Sequence, residues 1–407
     1  MALTRNQNRV GKLGARLVAA CLLLPVVVRG QTAGITLQES ISLNQPGAYP
    51  VLNDHGECVA WRTANEIFLA GAQGKKGAFL AGKHLKFSVS KNGNALAVLD
   101  KIKEKQEEVL RLRWFDRNGQ ASGSYARPWQ ADHPLPQFRF NHSATRLLVA
   151  DAAVARLMIL NAHGQIVQET DLFEQPHYAN ERPLFLAASE KEFFVLTQAF
   201  PATPQNPSQP VLICLNFEGR ERWRQELRHG TSGGLAVSEE GRWILAGSYE
   251  VVANQSQVKS ALQFFDRNGK QQLAREGLFR QALFAQNGER VLVLDRRQAR
   301  LLRLPGGELL WQSNLSSRSE LFVAAAADAR CENIFALIAT STFKNDRFVF
   351  EKARLMKFDS AGRQQRAAII NADLIEPALA MTRDGKQLVL AAQGMLRYYA
   401  PKESNTE

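Results

Sequence analysis

One stretch of the sequence matches the G-x-S-x-G pattern of a catalytic nucleophile elbow. Residues 230–234 read GTSGG, which would make Ser232 the nucleophile. An elbow of this kind needs a strand before the serine and a helix after it, whereas residues 235–238 here have the pattern of a β-strand. We therefore interpret the stretch as the glycine-rich start of a strand and predict no catalytic residue.

Histidines and a second glycine-rich stretch are the other candidates for chemistry. None of the seven histidines forms an H-x-H or H-E-x-x-H pair. His133, His177 and His229 fall in three successive predicted loops, so they are the one histidine set that could converge on a metal or acid–base site. Residues 71–77 (GAQGKKG) open no helix and lack phosphate-loop spacing, which favours a flexible hairpin. We predict no metal and no cofactor.

The first 30 residues have the three parts of an export signal. A basic region is followed by an apolar run at residues 17–28, and small residues at Val28 and Gly30 suit a cleavage before Gln31. An apolar run of this length is too short to span a bilayer, so we predict an exported protein, periplasmic or secreted, without a transmembrane span. An uncleaved anchor and lipidation at Cys21 are the alternatives.

Charge and cysteine usage exclude further classes. Residues 1–30 contain five basic and no acidic residues, so the remainder carries +7 of the formal charge of +12. No run of Lys and Arg with interleaved aromatics occurs, and nucleic-acid binding is not supported. The three later cysteines are far apart and form no C-x-x-C pair, which leaves open one disulfide among Cys58, Cys214 and Cys331.

A repeated turn organises the rest of the chain. FDRNG at residues 115–119 recurs at 265–269, and looser copies end at Gly164, Gly219 and Gly362. Asp or Asn with Gly between apolar runs is the chemistry of a tight β-hairpin. A second turn, of the form Ser-x-Asn-Gly, alternates with it at about 47-residue intervals, which is typical of a β-propeller blade. We predict an all-β fold: a β-propeller of four-stranded antiparallel blades over residues 31–400.

Eight units with strands A to D can be read, and the last unit lacks its fourth strand. In the second unit we expect strands at residues 87–90, 95–100 and 109–116, with the fourth after the turn at 115–119. A strand within residues 35–43 is expected to pair beside residues 395–399 and close the ring without a bare edge. Seven blades is the alternative, if the weak first unit is a decoration. Residues 401–407 are predicted to be a disordered tail.

Two units share a further pattern, since Trp223 and Trp311 each stand four residues after a turn glycine. In this respect the chain resembles exported bacterial propellers with quinoprotein-dehydrogenase-like (PQQ-like) repeats, while its other units resemble WD-type repeats. The resemblance covers about residues 45–400 and implies the fold rather than an activity. The polar and metal-binding residues with which that family holds its quinone have no counterpart here, so the resemblance does not extend to the cofactor site.

The predicted topology separates the connections onto two faces. The A–B and C–D turns share what we call the tight face, and the B–C and D–A loops share the long-loop face. The tight turns are short, whereas the loops of the other face are long and varied. The D–A loops are residues 127–137, 171–183, 228–234 and 313–320. The B–C loops are residues 101–108, 198–210, 248–260 and 340–347. Loop-borne function is therefore expected on the long-loop face. The candidate ligand- or partner-binding residues there are Trp129, His133, Gln137, His177, Tyr178, Arg182, His229, Ser232, Tyr249, Arg280 and Glu320.

These observations favour a non-enzymatic scaffold that binds a protein or small ligand of the cell envelope through its long-loop face. The alternative is a propeller enzyme, either a quinoprotein-like oxidoreductase or a hydrolase or lyase. A sugar-binding propeller is disfavoured, because aromatic residues are only 8% of the chain and do not recur at one position of each unit.

Overall fold

The computed structural model describes residues 31–32, 35–42, 49–52, 58–62, 67–71, 74–76, 84–90, 93–116, 120–130, 133–171, 184–198, 209–252, 257–359 and 361–401. Within these ranges the ordered structure is β-strand, apart from one turn of 3-10 helix at Ala152–Val154. The predicted export signal and residues 402–407 of the predicted tail lie outside them. Among the described residues, no helix has the length and hydrophobicity required to cross a membrane.

The strands form eight antiparallel sheets, which we number in chain order. Strands β1 (Gln31–Thr32) and β2 (Ile35–Ser42) precede the first sheet. The first sheet consists of β3 (Tyr49–Leu52), β4 (Cys58–Arg62), β5 (Ile67–Gly71) and β6 (Gly74–Lys76). The second consists of β7 (His84–Val89), β8 (Ala95–Glu104), β9 (Glu107–Asp116) and β10 (Ala121–Pro128). The third consists of β11 (Gln137–Phe140), β12 (Arg146–Asp151), β13 (Arg156–Asn161) and β14 (Ile166–Asp171).

The next sheets follow the same order. The fourth consists of β15 (Phe185–Ala188), β16 (Glu192–Gln198), β17 (Pro210–Asn216) and β18 (Glu221–Glu226). The fifth consists of β19 (Thr231–Val237), β20 (Trp243–Val252), β21 (Gln257–Asp266) and β22 (Gln271–Glu276). The sixth consists of β23 (Gln281–Phe284), β24 (Arg290–Leu294), β25 (Gln298–Arg303) and β26 (Glu308–Asn314). The seventh consists of β27 (Glu320–Ala327), β28 (Ile334–Lys344), β29 (Arg347–Phe358) and β30 (Gln364–Ile369).

The eighth sheet combines the two ends of the described chain. Its strands are β31 (Ala378–Met381), β32 (Leu388–Ala392) and β33 (Met395–Pro401), and β2 pairs antiparallel with β33. The register places Ile41 opposite Leu396 and Thr36 opposite Ala400. β1 pairs with β2, so this sheet has five strands where the other seven have four.

Four of the described C–D turns, which join the third and fourth strands of a sheet, share one hydrogen-bond pattern. Asp266 Oδ1 accepts from the amides of Asn268 (2.8 Å) and Lys270 (3.0 Å). Gly269 N donates to Asp266 O (3.0 Å), and Gly269 has a φ of +80°, which glycine adopts without the steric penalty of a Cβ. The same side-chain pattern occurs around Asn161, Asn216 and Asp359. The prediction of tight hairpins at these repeats is confirmed.

One contact between neighbouring sheets also repeats. The residue four positions after a turn glycine lies over the turn glycine of the next sheet, so Trp223 lies against Gly269 and Trp311 against Gly362. Trp223 Nε1 also donates to Arg267 O of that turn (2.9 Å). The same relation joins Gly123 to Gly164, Gln168 to Gly219 and Leu273 to Gly307. This spacing fixes how consecutive sheets stack.

The hydrophobic core lies between consecutive sheets. Phe194 of the fourth sheet and Phe265 of the fifth belong to one buried cluster, and equivalent clusters join the other neighbours. Leu52 of the first sheet packs against buried Ala391 and Leu396 of the eighth. Full burial of each large apolar side chain contributes about 1.5–3 kcal/mol. The first strands of successive sheets contact each other in chain order, and β31 contacts both β27 and β3. Four-stranded meanders packed in series around a common centre are the architecture of a β-propeller.

Three predicted B–C loops are in fact mostly strand. Residues 101–108, 248–260 and 340–347 were expected to be loops, but β8–β9, β20–β21 and β28–β29 continue pairing almost to their tips. Cross-strand apolar pairs such as Ile102–Val109 keep the ladder formed beyond the body of the sheet. The strands of the second unit are correspondingly longer than the predicted ranges.

Candidate functional site

A central cavity of about 420 Å³ runs between the first strands of the sheets. Its wall is made largely of small apolar side chains, which leave the space open because they do not reach the centre. Polar side chains at the cavity include Arg139, Gln281, Glu239 and Arg383. The small wall residues are Ala187, Ala188, Ala236, Ala282, Ala325, Ala326, Ala327, Ala378 and Ala380.

The tight-face end of this cavity is crossed by an ion pair. Arg383 Nη2, in the A–B turn of the eighth sheet, lies 2.7 Å from Glu239 Oε1, in the A–B turn of the fifth sheet. The A–B turns are also joined by backbone hydrogen bonds, from Glu190 N to Glu239 O (2.9 Å) and from Ala329 N to Arg383 O (3.1 Å). These contacts tie four A–B turns together at this end of the cavity.

Glu239 also belongs to a group of possible metal ligands. One ligand atom each of His142, Glu190 and Glu239 lies within 4.8 Å of the others. The Glu239 carboxylate already pairs with Arg383, and His142 Nδ1 lies 3.6 Å from Glu239 Oε1. We interpret this group as part of the tight-face ion-pair network. Sequence reasoning missed it, because three separate turns supply its members.

On the long-loop face, the B–C hairpins present exposed apolar pairs. Phe343 and Phe348 are cross-strand partners near the tip of β28–β29, 64% and 59% exposed, with ring centroids 5.3 Å apart in an edge-to-face arrangement. Val251 and Val258 are partners near the tip of β20–β21, 66% and 49% exposed. Large apolar side chains placed together in solvent indicate a contact surface. The sequence signal was two phenylalanines flanking a short polar turn, FKNDRF at 343–348.

A second, shallower cavity of about 550 Å³ lies beside the β28–β29 hairpin. Lys352, Arg354, Arg366 and Ile369 contribute to its lining. Backbone bonds between Phe350 and Leu374 (2.8 and 2.9 Å) hold the following loop against the hairpin. This cavity adds a basic, partly apolar recess to the long-loop face.

The predicted site residues of the second and third sheets fall into separate structural roles. Trp129 N donates to Glu108 O (2.8 Å), and Lys101 Nζ lies 5.1 Å from the Trp129 ring centroid, so this tryptophan braces the β8–β9 hairpin. Gln137 Oε1 accepts a hydrogen bond from Lys86 Nζ. Burial raises the pKa of the Asp151 carboxyl, while Arg127 and, to a smaller extent, the nearby His133 offset part of that effect.

Three predicted residues of the fifth sheet lie close together on neighbouring strands. Ser232 pairs with Ser248 across β19 and β20, Tyr249 pairs with Thr231, and His229 N donates to Ser248 Oγ (3.3 Å). Ser232 is only 2% exposed and lies within β19, beside a bulge, so the glycine-rich stretch is the start of a strand as interpreted. His229 Nδ1 lies 3.9 Å from Glu250 Oε2.

Arg280 and Glu320 both approach the start of the seventh sheet. Arg280 Nη1 donates to Phe322 O (3.2 Å), and Glu320 forms a two-point ion pair with Arg354 (2.5 and 2.9 Å). The Arg354 guanidinium lowers the pKa of Glu320. His177, Tyr178 and Arg182 lie outside the described residues. Neither His133 nor His229 belongs to a group with metal-ligand spacing in the described ranges.

Comparison with known proteins identifies the fold. No family model and no curated protein matches the sequence. Among solved structures, the C-terminal WD40 domain of Sif2 matches with a TM-score of 0.58 and 13% identity, over 92% of this chain and 100% of that one. The Dos1 propeller matches with a TM-score of 0.58 and 11% identity, over 91% and 96%. The chain has a β-propeller fold, similar to that of the Sif2 WD40 domain and the Dos1 propeller. At these identities the similarity establishes architecture and no activity.

Proposed function

We propose that this propeller is a protein-interaction scaffold whose partner binds to the long-loop face. The observation that carries the proposal is the exposed Phe343–Phe348 pair at the tip of the longest hairpin. Burial of two such rings against a partner would be favourable, and aromatic side chains are typical anchors of protein interfaces. The Sif2 and Dos1 similarities support the same class of function, because propellers of this type commonly serve as interaction platforms.

Co-purification of a natural partner with paired serine variants tests this proposal. Phe343→Ser with Phe348→Ser is expected to lose most of the partner recovered with the wild-type protein. The matched control is Ile166→Ser with Val167→Ser, because these residues are also exposed (46% and 41%) but lie on β14, the fourth strand of the third sheet. Equal recovery with both double variants would contradict the proposal.

We also propose that the eight sheets are eight blades and that β2 closes the ring. The pairing of β2 with β33 and the contact of β31 with both β27 and β3 support this count. Ile35 is fully buried in the cluster that joins the seventh and eighth sheets, so Ile35→Asp should destabilise the domain by about 3 kcal/mol or more. An Ile35→Asp protein with wild-type stability would count against closure by this strand.

The repeat relationship and the location are proposals as well. The contact of Trp223 and Trp311 with the next sheet's turn glycine supports a PQQ-like repeat in those two units. The basic region and apolar run of residues 1–30 support export to the periplasm or beyond. Sequencing the amino terminus of the natural protein should give Gln31 as its first residue, and a chain that begins at Met1 would contradict cleavage.

A further inference from the structure

The long-loop face of the sixth sheet gathers arginines from separate segments of the chain. Arg280 lies just before β23, Arg296 lies in the turn between β24 and β25, and Arg300 lies within β25. Arg280 N donates to Leu294 O (2.8 Å), which holds the segment before β23 against the end of β24. The Arg296 carbonyl accepts from Phe322 N (2.8 Å), which anchors the turn to the seventh sheet.

Arg275 of β22 lies outside this group, because its guanidinium donates to Gly307 O, in the C–D turn of the sixth sheet on the tight face. The Arg300 guanidinium lies against Gly277, which follows β22 on the long-loop face, and a Cβ on Gly277 would be 2.9 Å from Arg300 Nη2. The Nε atom of Arg300 is shielded from solvent and meets no acceptor in the described chain. We call Arg280, Arg296 and Arg300 the arginine cluster.

The positive charge of this cluster is poorly compensated. The side-chain hydrogen bond of Arg280 goes to a backbone carbonyl, and no salt bridge of the described residues includes a member of the cluster. Asp295 is the carboxylate that acts on both Arg280 and Arg300. Cations held near one another without matching carboxylates favour binding of an anion, which would relieve their repulsion.

The pKa shifts of Arg280 and Arg300 agree in direction with this crowding. Burial lowers the pKa of Arg280, and the neighbouring Arg296 lowers it further. Burial also lowers the pKa of Arg300; Asp295 offsets part of that effect, and Arg275 adds to the lowering. The guanidinium groups remain charged at neutral pH, because arginine is the most strongly basic side chain.

We propose that the arginine cluster binds an acidic segment, rich in aspartate or glutamate, of the protein partner. Guanidinium groups recognise carboxylates through paired, charge-assisted hydrogen bonds, and several guanidiniums from different strands suit an extended run of carboxylates. The inference rests on the proposed function, since it assigns the chemistry of the partner that meets the long-loop face. It places one anchor on the sixth sheet, next to the seventh sheet that carries Phe343 and Phe348.

The proposal can be tested by fluorescence anisotropy with a labelled oligoglutamate peptide. A labelled oligoglutamine peptide of equal length is the uncharged control. The wild-type protein should bind oligoglutamate and not oligoglutamine, more weakly as salt increases. Arg280→Gln with Arg296→Gln should weaken binding about tenfold, because two charge-assisted contacts are removed. The matched control, Arg220→Gln with Arg330→Gln, removes the same charge from exposed residues of the tight face and should bind as the wild type does.

Three results would overturn the inference: no binding of oligoglutamate, equal binding of both peptides, or equal weakening by the two double variants. A further arm uses an anionic lipid vesicle and a short DNA duplex as competitors. Preference for either over oligoglutamate would also reject an acidic protein segment. The peptide experiment can fail while partner recovery still depends on Phe343 and Phe348. That combination would overturn this inference alone and leave the scaffold proposal standing.

Discussion

Trp223 and Gly269 are in contact although they belong to different sheets. A Cβ placed on Gly269 would lie 2.6 Å from Trp223 Cδ2, and the indole Nε1 donates to Arg267 O of the same turn. The turn therefore has two tasks, since it reverses its own chain and receives the side chain of the preceding sheet. Glu192, fully buried in the fourth sheet, adds a third contact by accepting from Arg267 Nη2 (2.8 Å).

We expect Gly269→Ala to destabilise the protein by about 2–4 kcal/mol. Alanine is strained in the left-handed backbone conformation of this position, and its Cβ would displace the Trp223 indole. The matched control is Gly306→Ala, where an added Cβ meets nothing within 4 Å. Its effect should stay within about 0.5 kcal/mol. Urea unfolding followed by tryptophan fluorescence measures both, and similar losses for the two variants would contradict the packing described for Gly269.

The buried pair of Arg127 and Asp151 joins the second and third sheets, with Nε–Oδ2 at 2.5 Å. Arg127→Met should cost about 3–5 kcal/mol at neutral pH, because it leaves the carboxylate buried without a partner. Burial raises the pKa of Asp151, so the folded variant takes up a proton more readily than the unfolded chain does. Its stability should therefore rise as pH falls toward 5.

The control for that prediction is the double variant Arg127→Met with Asp151→Leu. Since it has no buried carboxyl at this position, it should be more stable than Arg127→Met alone and lack the extra gain at low pH. Chemical denaturation at several pH values gives the comparison. An Arg127→Met protein whose stability falls in parallel with the wild type on acidification would show that burial does not raise the pKa of Asp151.

Burial lowers the pKa of Lys86 to about 8, where its ammonium lies near the Phe138 ring and donates to Gln137. Between about pH 8 and pH 10 the unfolded chain binds more protons than the folded one, so stability contributed by this site rises with pH. Lys86→Met should be more stable than the wild type at pH 7 by about 1–2 kcal/mol and should lose that rise. Equal pH profiles for the two proteins would show that Lys86 is not desolvated.

Cys214 and Cys331 are both buried free thiols, and burial raises the pKa of each to about 12. Neither should react with a thiol reagent at pH 8 in the folded protein, because the thiolate is scarce and shielded. Both should react once the chain is unfolded. Rapid labelling of either cysteine without denaturant, located by mass spectrometry, would contradict this assignment.

Local chemistry explains how much of the fold could be predicted. Asp266 and Asn216 precede turn glycines and cap their own turns, so the pattern is visible within five residues of sequence. Strand lengths were less accessible, because pairs such as Val251–Val258 stabilise a hairpin only when both strands are present. The expectation of loops at these hairpins was wrong for that reason.

The candidate site was less predictable than the fold. Arg280 was identified from its place before a first strand, but Arg300 lies in a strand whose charges look solvated in isolation. The run DRRQAR at residues 295–300 was the available signal, a basic stretch beginning in a turn on the long-loop face. Pairing of the sheet, which no local pattern encodes, brings these arginines together.

We propose above that the partner binds the long-loop face of the propeller. The most direct measurement is site-specific photo-crosslinking with a benzophenone amino acid, followed by identification of the crosslinked protein. The amino acid replaces Phe348 or Arg296 on the long-loop face. In the controls it replaces Arg330 or Lys386 on the tight face. If the partner binds the long-loop face, the two long-loop positions should crosslink to the same partner and the tight-face positions should do so much less. Equal or stronger crosslinking of that partner from Arg330 and Lys386 would contradict binding at the long-loop face.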